Sequence, residues 1–361
     1  MPSSHPTRSA GSAVVTVLVC VALIVAAVAV YLAASGGNNT LGVQAEREQL
    51  LLGLGAGVSN QLDARFDDAD GDLVADPPET TRNPDKLTLS YLSSAANVSL
   101  KHLATLAADL SETTGKTVTA RMYPDADAAL AALASGELHV TGFNTGNVPR
   151  AVNVAGFVPV AAPSHAEQPA EYRMVIAVAA DSPIQSLEDL AGHTVAFTRP
   201  GSNSGYKAPL ILLRDQAGLV PPTDYRWTFT YGHARSIAGL AGGTYDVIAT
   251  ASDLLQAAVD AGEIESSAFR VVYESEAFPA AAIGHAHDLD PALAEKIAAA
   301  LLAFEPTQNA AEAFVNADAM SPVNFKDDFA LIRRIDDDAG FAHTLPSRDA
   351  EPVVETVDEA L

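Results

Sequence analysis

The chain has 361 residues, and its 45 acidic against 21 basic residues give a formal charge of -24 and a pI near 4.5. This acidity argues against nucleic acid as a partner, because binding to a phosphate backbone needs a basic surface. The one cysteine, Cys20, lies in an apolar N-terminal run, so no disulfide is expected in the rest of the chain.

The apolar run Ala13–Ala34 contains no charged residue and no proline. As a helix it would extend about 33 Å, which matches the hydrocarbon core of a bilayer. Arg8 precedes the run and Glu46 and Glu48 follow it, so the charge bias predicts residues 1–12 in the cytoplasm and the body outside. The sequence therefore predicts a single-pass cell-membrane anchor with an extracytoplasmic, or periplasmic, body. A long signal peptide that is cleaved at the end of the run is the alternative.

Residues 35–85 are predicted to form a juxtamembrane spacer that contains an acidic loop. The carboxylates of Asp68, Asp70, Asp72 and Asp76 have the spacing by which a tight loop presents oxygens to one Ca²⁺. The stretch resembles the short calcium repeats of thrombospondin type 3 and dockerin modules. Calcium is therefore a candidate ligand of this loop, beside the alternative of a solvated acidic linker.

A regular alternation of strands and helices begins at Lys86. The predicted strands are 87–91, 118–123, 138–143, 173–179, a strand from 195, 228–231, 245–250, 269–273 and 281–285. The predicted helices are 97–110, 125–134, a short helix ending at 192, a helix that begins after Gly205, 235–241, 252–261, 291–304, 307–316 and 325–335. This order predicts an α/β fold with doubly wound, mainly parallel sheets.

A polar turn, Ser202-Asn203-Ser204-Gly205, separates the strand from 195 and the helix that follows. The first N–H groups of a helix lack partners within the helix and carry the positive end of its dipole. Hydroxyl groups placed just before them would complete a binding site for an oxyanion. Ordinary N-capping by serine and asparagine is the alternative interpretation.

The segments Tyr172–Val178 and Asp181–Gly192, together with this turn, resemble the phosphonate/phosphite substrate-binding proteins of ABC importers. The resemblance implies a type II periplasmic-binding-protein fold, whose two lobes close on a ligand cleft about strands near 173–179 and 273–283. It also implies an ABC permease as partner, no cofactor and no enzymatic activity. The implied segments are a first lobe of 86–178 and 281–345, a second lobe of 179–280, and an acidic tail of 346–361.

The same resemblance implies which residues hold the ligand. The turn Ser202–Gly205 matches the Ser-Thr-Ser-Gly turn that grips a phosphonate, and Tyr231–Ala234 matches a Gly-Ser-His segment whose imidazole reaches the same oxyanion. Gly243–Val247 matches the strand entry before a ligand-facing acid. The implied ligand contacts are Ser202, Asn203, Ser204, Gly205, Tyr206 through its backbone, His233, Asp253, Phe143 and Tyr91.

Three departures from the family pattern restrict the class of ligand that we expect. Phe143 stands where the family often has tyrosine, Ala126 replaces another tyrosine, and Ala281 replaces a second acid. A buried ammonium group needs paired acids, so the prediction is a phosphorus oxyanion without an amine: phosphite, methylphosphonate or phosphate. Asp127 or Glu276 could supply the missing acid, which is the opposing possibility.

Three other functions remain open from the residues. One is the binding of another small ligand, such as a sulfonate or a thiamine-precursor pyrimidine, and another is a membrane-tethered sensor without a transporter. The third is a hydrolase that uses Ser202 or Ser204 with His233 and Asp246. It is disfavoured because a nucleophile elbow reads Gly-x-Ser-x-Gly, whereas Asn203 stands at the centre here.

The histidine residues show no spacing typical of a zinc site. His285 and His287 alternate on one predicted strand, next to Asp288. We expect both to lie at the surface.

Overall fold

A computed structural model describes residues 59–92, 99–165, 168–306, 314 and 317–346. The predicted anchor 13–34 lies outside these residues, as do the first part of the spacer, most of the helix predicted at 307–316, and the tail from 347 onward. Within the described ranges, no helix combines the length and apolar character needed to cross a membrane.

The strands alternate with helices through most of the described chain. In chain order, the strands are β1 (Lys86–Leu92), β2 (Thr117–Ala120), β3 (Val140–Asn144), β4 (Phe157–His165), β5 (Gln168–Pro169), β6 (Glu171–Ala179), β7 (Thr194–Phe197), β8 (Arg226–Phe229), β9 (Val247–Ala251), β10 (Phe269–Pro279), β11 (Ala281–Ala286) and β12 (Ala319–Pro322). The α-helices are α1 (Leu100–Thr114), α2 (Ala126–Ala134), α3 (Val148–Ala155), α4 (Ala208–Ala217), α5 (His233–Ala241), α6 (Ser252–Asp260), α7 (Pro291–Ala303), α8 (Phe325–Asp328) and α9 (Ala330–Asp338).

The strands form two sheets. The first has the order β12-β4-β11-β3-β1-β2, with β5 paired to β4, and the second has the order β10-β6-β9-β7-β8. Each sheet contains three strands that pair in parallel, because β1 lies between β2 and β3 and β7 lies between β8 and β9. The remaining pairs are antiparallel. The predicted two-sheet α/β fold is confirmed, and the sheets are mixed rather than mainly parallel.

Hydrophobic periodicity explains why these segments fold as they do. On α1, Leu103, Leu106 and Leu110 recur at helical spacing and are buried together. All five residues of β9 are buried, as expected for a central strand covered on both faces. The hydrophobic core of the second sheet forms between this strand and the helices α5 and α6.

The chain crosses between the two sheets twice, at Ala170 and at Ala280. The two crossing segments contact each other, because the Ala280 N–H donates to the Ala170 carbonyl at 3.0 Å. Strand β6 follows the first crossing and pairs within the second sheet, although the expected first lobe extended to residue 178.

The structure corrects the expectation that His285 and His287 lie at the surface. His285 is buried, at 8% exposure, because β11 lies between β3 and β4 and is covered on both faces. His287 lies just after the end of β11, where it is half-buried and packs edge-on against Phe66.

Candidate functional site

The polar turn forms a wide helical turn at the C-terminal end of β7. It spans Asn203–Lys207 and continues directly into α4. The Lys207 N–H donates to the Ser202 carbonyl, five residues earlier, and the Ser202 hydroxyl accepts from the Gly205 N–H at 3.0 Å. The sequence predicted the helix to start only after Gly205. The structure begins the helical turn at Asn203, so its first N–H groups lie beside the two serine side chains.

Gly205 is required here because the backbone approaches a neighbouring side chain. The Thr198 N–H donates to the Gly205 carbonyl at 2.9 Å, and a Cβ at position 205 would overlap the Thr198 side chain. The oxygen of that threonine side chain is buried and has no hydrogen-bond partner among the described residues. The turn therefore packs against Thr198, the residue that directly follows β7.

His233 begins α5 and lies beside this turn. Its Nδ1 is 2.8 Å from the Thr250 hydroxyl, and its Nε2 is 3.4 Å from the Ser202 hydroxyl. The residue is half-buried, but its imidazole is enclosed, and burial lowers the pKa of His233 to about 4, with nearby Arg199 acting in the same direction. The imidazole is therefore neutral near pH 7 and can donate one hydrogen bond without adding charge.

These contacts also disfavour the hydrolase interpretation. A Ser-His-Asp arrangement needs the carboxylate on the second nitrogen of the histidine. Thr250 takes that place, and Asp246 is exposed.

The loop that follows β3 packs directly on the turn. A Cβ added at Gly146 would lie 2.5 Å from the Gly201 carbonyl oxygen and 2.8 Å from the Asn203 nitrogen. Lys207 reaches across as well, since its buried ammonium group donates to the Gly146 carbonyl at 2.7 Å. The first and second sheets therefore meet at the predicted ligand site.

Asp253 is the predicted acidic residue, and it lies in the first turn of α6. Burial raises its pKa, and its Oδ1 atom is buried with no hydrogen-bond partner in the described part of the chain. A buried acceptor of this kind is costly unless a donor reaches it. Asp253 is thus prepared to accept a hydrogen bond.

Asp127 and Glu276 were the two candidates to replace the missing second acid, and neither has a buried, unpaired oxygen as Asp253 does. Asp127 forms an ion pair with Arg150 at 2.6 Å, and Glu276 is exposed. Ala281 is buried on β11.

The predicted aromatic contacts lie in packed cores. Tyr91 packs against Phe314 at 4.5 Å between ring centroids, and Phe143 packs edge-on against Phe157 at 5.2 Å. The Tyr206 ring is surrounded by Phe197, Phe229 and Phe341, so only its backbone N–H is placed in the turn. A ligand contact by any of the three remains a prediction.

Tyr172 is a residue of the site that sequence reasoning missed. Its hydroxyl oxygen accepts from the Asn203 side-chain amide at 3.2 Å. The sequence contained no direct signal for this, because Tyr172 opens a strand far from the turn in the chain.

The acidic loop presents three of its four predicted carboxylates together. Oxygens of Asp68, Asp70 and Asp72 lie within 4.8 Å of one another, whereas Asp76 accepts from the Ala69 N–H. Backbone N–H groups of the loop also donate to Asp68 and Asp72. These bonds account for the loop conformation, and calcium binding stays a prediction.

The chain matches the family model described as ABC transporter, phosphonate, periplasmic substrate-binding protein over residues 90–329, well over half of its length. Among solved structures, it is similar to a binding protein component of an ABC phosphonate transporter from Pseudomonas aeruginosa, with 17% identity and a TM-score of 0.59 over 70% of this chain and 86% of that one. It is also similar to PhnD1 from Prochlorococcus marinus in complex with methylphosphonate, with 16% identity and a TM-score of 0.58 over 70% of this chain and 98% of that one. A third similar structure is a Xanthomonas citri protein bound to chloride, with 22% identity and a TM-score of 0.57 over 70% of this chain and 99% of that one.

The solved structures show that the fold is shared, and the family match covers both sheets and the polar turn between β7 and α4. Members of the matched family bind a substrate outside the cytoplasm for a transporter, and they are not enzymes. The chain belongs to the family of periplasmic substrate-binding proteins of phosphonate ABC transporters.

Proposed function

We propose that this protein captures a small phosphorus oxyanion without an ammonium group, such as phosphite, methylphosphonate or phosphate, and delivers it to an ABC permease. The observation that carries the proposal is the turn at Ser202–Gly205, which starts a helical turn and places the Ser202 hydroxyl 3.4 Å from the neutral imidazole of His233. Such a helix start favours an oxyanion, because its N–H groups and dipole both favour negative charge. The structure of PhnD1, a protein with a similar fold, is known in complex with methylphosphonate.

The opposite side of the site supports a ligand without an amine. An ammonium group taken out of water needs charged partners that are free to pair with it. Asp253 offers one acid, while Asp127 is paired with Arg150 and Ala281 brings no charge. Asp253 would instead accept a hydrogen bond from the P–OH group of a monoprotonated oxyanion.

Calorimetric titration of the full chain in detergent tests this ligand preference. We expect methylphosphonate to bind at least tenfold more tightly than 2-aminoethylphosphonate, a difference of about 1.4 kcal/mol. Ser204→Ala should weaken methylphosphonate binding about ten- to hundredfold, because it removes one hydrogen bond to an anion, and the double substitution Ser202→Ala/Ser204→Ala should weaken binding further. Ser266→Ala, at an exposed loop position, is the matched control and should bind as the wild type does. Tighter binding of the amine would contradict the proposed ligand class.

We also propose that Ala13–Ala34 anchors the protein in the cell membrane, with the body outside the cytoplasm. The support is the uncharged run itself and the extracytoplasmic location of the family. Protease added to intact cells should release a soluble body that begins within residues 35–85. A body that is protected until the cells are lysed would contradict the orientation. A membrane-free protein that lacks residues 1–34 without any protease would show a cleaved signal peptide instead.

A further inference from the structure

Arg199 connects the two chain segments that carry the predicted oxyanion-binding groups. It precedes the polar turn, and the Ser202 N–H donates to the Arg199 carbonyl at 3.0 Å. Its side chain extends to the neighbouring segment, where Nε donates to the Tyr231 carbonyl at 2.8 Å, just before His233. The residue is exposed, so its guanidinium group is held at the rim of the site, between the turn and the start of α5.

The backbone at Tyr231 is constrained in a way that supports this contact. Its φ angle is 60°, in the left-handed region that residues other than glycine rarely adopt. The Tyr231 N–H donates to the Thr198 carbonyl at 2.9 Å, while its own carbonyl accepts from Arg199. Such a conformation persists only where surrounding contacts impose it, and it is found most often at functional sites. The two bonds therefore hold the Tyr231 carbonyl toward the guanidinium group.

The positive charge of Arg199 is not neutralised by a neighbouring acid. Arg199 forms no ion pair with any residue that the structure describes. Lys207, a second cation in the turn, is buried and paired with Asp336 at 2.7 Å. The His233 imidazole is neutral near pH 7. Arg199 therefore provides a free positive charge beside the turn.

The field of this charge extends to the imidazole that faces the turn. Burial lowers the pKa of His233 to about 4, and the charge of Arg199 acts in the same direction. The rest of the chain has the opposite effect on an anion, because its formal charge is -24. Exposed charges farther away than about 10 Å are largely screened in 0.1 M salt, whereas a cation at the rim is not. Arg199 thus offsets the repulsion between an acidic protein and an anionic ligand.

We propose that Arg199 is a specificity-determining residue whose charge attracts the phosphorus oxyanion to the turn. This inference rests on the proposed function and adds a charge-selective entrance to the same site. Because the guanidinium group lies in water at the rim, it acts through its charge rather than through a desolvated hydrogen bond. A neutral molecule of the same size gains nothing from this charge, so Arg199 favours anions.

Calorimetric titration of the full-length protein in non-ionic detergent with methylphosphonate tests the role of the charge. In low salt, about 0.05 M, Arg199→Gln should weaken binding about three- to tenfold, because it removes one positive charge near the anion. In high salt, about 0.5 M, the Debye length falls to about 4 Å, and the loss should shrink to less than about twofold. Arg199→Lys keeps the charge and should stay within about twofold of the wild type at both salt concentrations.

Arg226→Gln is the matched control for the change in net charge. Arg226 is also exposed and has no ion pair within the described ranges, and it pairs with Thr194 at the other end of β7 and β8. At about 3.3 Å per residue, Thr194 lies roughly 16 Å along the strand from Arg199. The control removes the same charge far from the turn, so its affinity should stay within about 1.5-fold of the wild type.

Four results would overturn the inference. One is wild-type affinity of Arg199→Gln in low salt, and another is an equal loss of affinity in Arg226→Gln, which would show an effect of net charge alone. The third is a loss in Arg199→Gln that persists in high salt, and the fourth is an equal loss in Arg199→Lys. Either of these last two would show that Arg199 acts through its bond to Tyr231.

The proposed function has a separate readout. If Arg199→Gln binds as the wild type does while Ser204→Ala loses affinity, the inference fails and the proposed function stands. Failure of the wild type to bind any phosphorus oxyanion would remove both.

Discussion

Two hydroxyl groups hold the imidazole of His233 and determine what it can donate. For Nε2 to donate to a ligand, the ring hydrogen must be on that nitrogen, and Nδ1 must accept from the Thr250 hydroxyl 2.8 Å away. Thr250 is fully buried on β9, so this partner is fixed. The arrangement provides a neutral hydrogen-bond donor beside the Ser202 hydroxyl.

The lowered pKa of His233 predicts a pH-dependent stability. In the folded protein the imidazole protonates only near pH 4, whereas in the unfolded chain it protonates near pH 6.5. The folded state therefore binds fewer protons in this window, and its stability should fall as the pH falls from about 6.5 to 4. NMR titration of the histidine ring protons, with His233→Gln to assign the signal, checks this. A midpoint near 6.5 for the signal absent from the variant would contradict it.

At the scale of single residues, the sequence identified the second-sheet part of the site better than the first. Ser202 and His233 come together as the resemblance implied, because they lie at the starts of neighbouring helical segments. Tyr172 was missed because its role depends on a contact between chain-distant segments. No local pattern contains that information.

At the scale of elements, strands with ordinary hydrophobic patterns were predicted and strands with unusual residues were not. β4 was missed because Pro159 and Pro163 interrupt it, and proline is rarely found within a sheet. The sheet accommodates Pro159 through a shift in register opposite Gly284, where a Cβ would overlap the Val158 carbonyl. This pairing depends on a glycine on another strand, and the sequence of β4 alone does not indicate it.

Helix boundaries differ from the predictions for physical reasons as well. The helix predicted at 325–335 is divided at Phe329 into α8 and α9, and the fully buried Phe329 side chain holds the junction in the core. The turn before α4 starts three residues earlier than expected, since its wide hydrogen bond joins residues five apart. That geometry is set by packing against Thr198 and not by local helix preference.

At the scale of the whole molecule, a buried ionic network joins the C-terminal helix to both sheets. Asp336 on α9 is fully buried and accepts from Lys207 at 2.7 Å, and its other oxygen contacts His343 Nε2 at 2.9 Å. The second nitrogen of His343 contacts the Asn153 amide on α3, beneath the first sheet. Because an ion pair of this kind is costly to break on one side, the network holds the C-terminal segment in place while the sheets meet at the ligand site.

The contact at Gly146 predicts how closure of the two sheets can be blocked. A Cβ at this position would lie 2.5 Å from the Gly201 carbonyl oxygen and 2.8 Å from the Asn203 nitrogen, both backbone atoms that cannot move aside without deforming the turn. With the sheets apart, this overlap would not exist. Gly146→Ala should therefore fold normally but resist closure, because bringing the sheets together would force the overlap.

We expect Gly146→Ala to weaken methylphosphonate binding at least about tenfold, with little change in the thermal unfolding of the ligand-free protein. Small-angle X-ray scattering should show that methylphosphonate contracts the wild type more than the variant. Gly242→Ala is the matched control, since Gly242 is exposed at the end of α5 and its added Cβ would meet only the Ala238 carbonyl oxygen, at 3.3 Å. A Gly146→Ala variant that binds and contracts as the wild type does would show that the ligand is held without close contact between this loop and the turn.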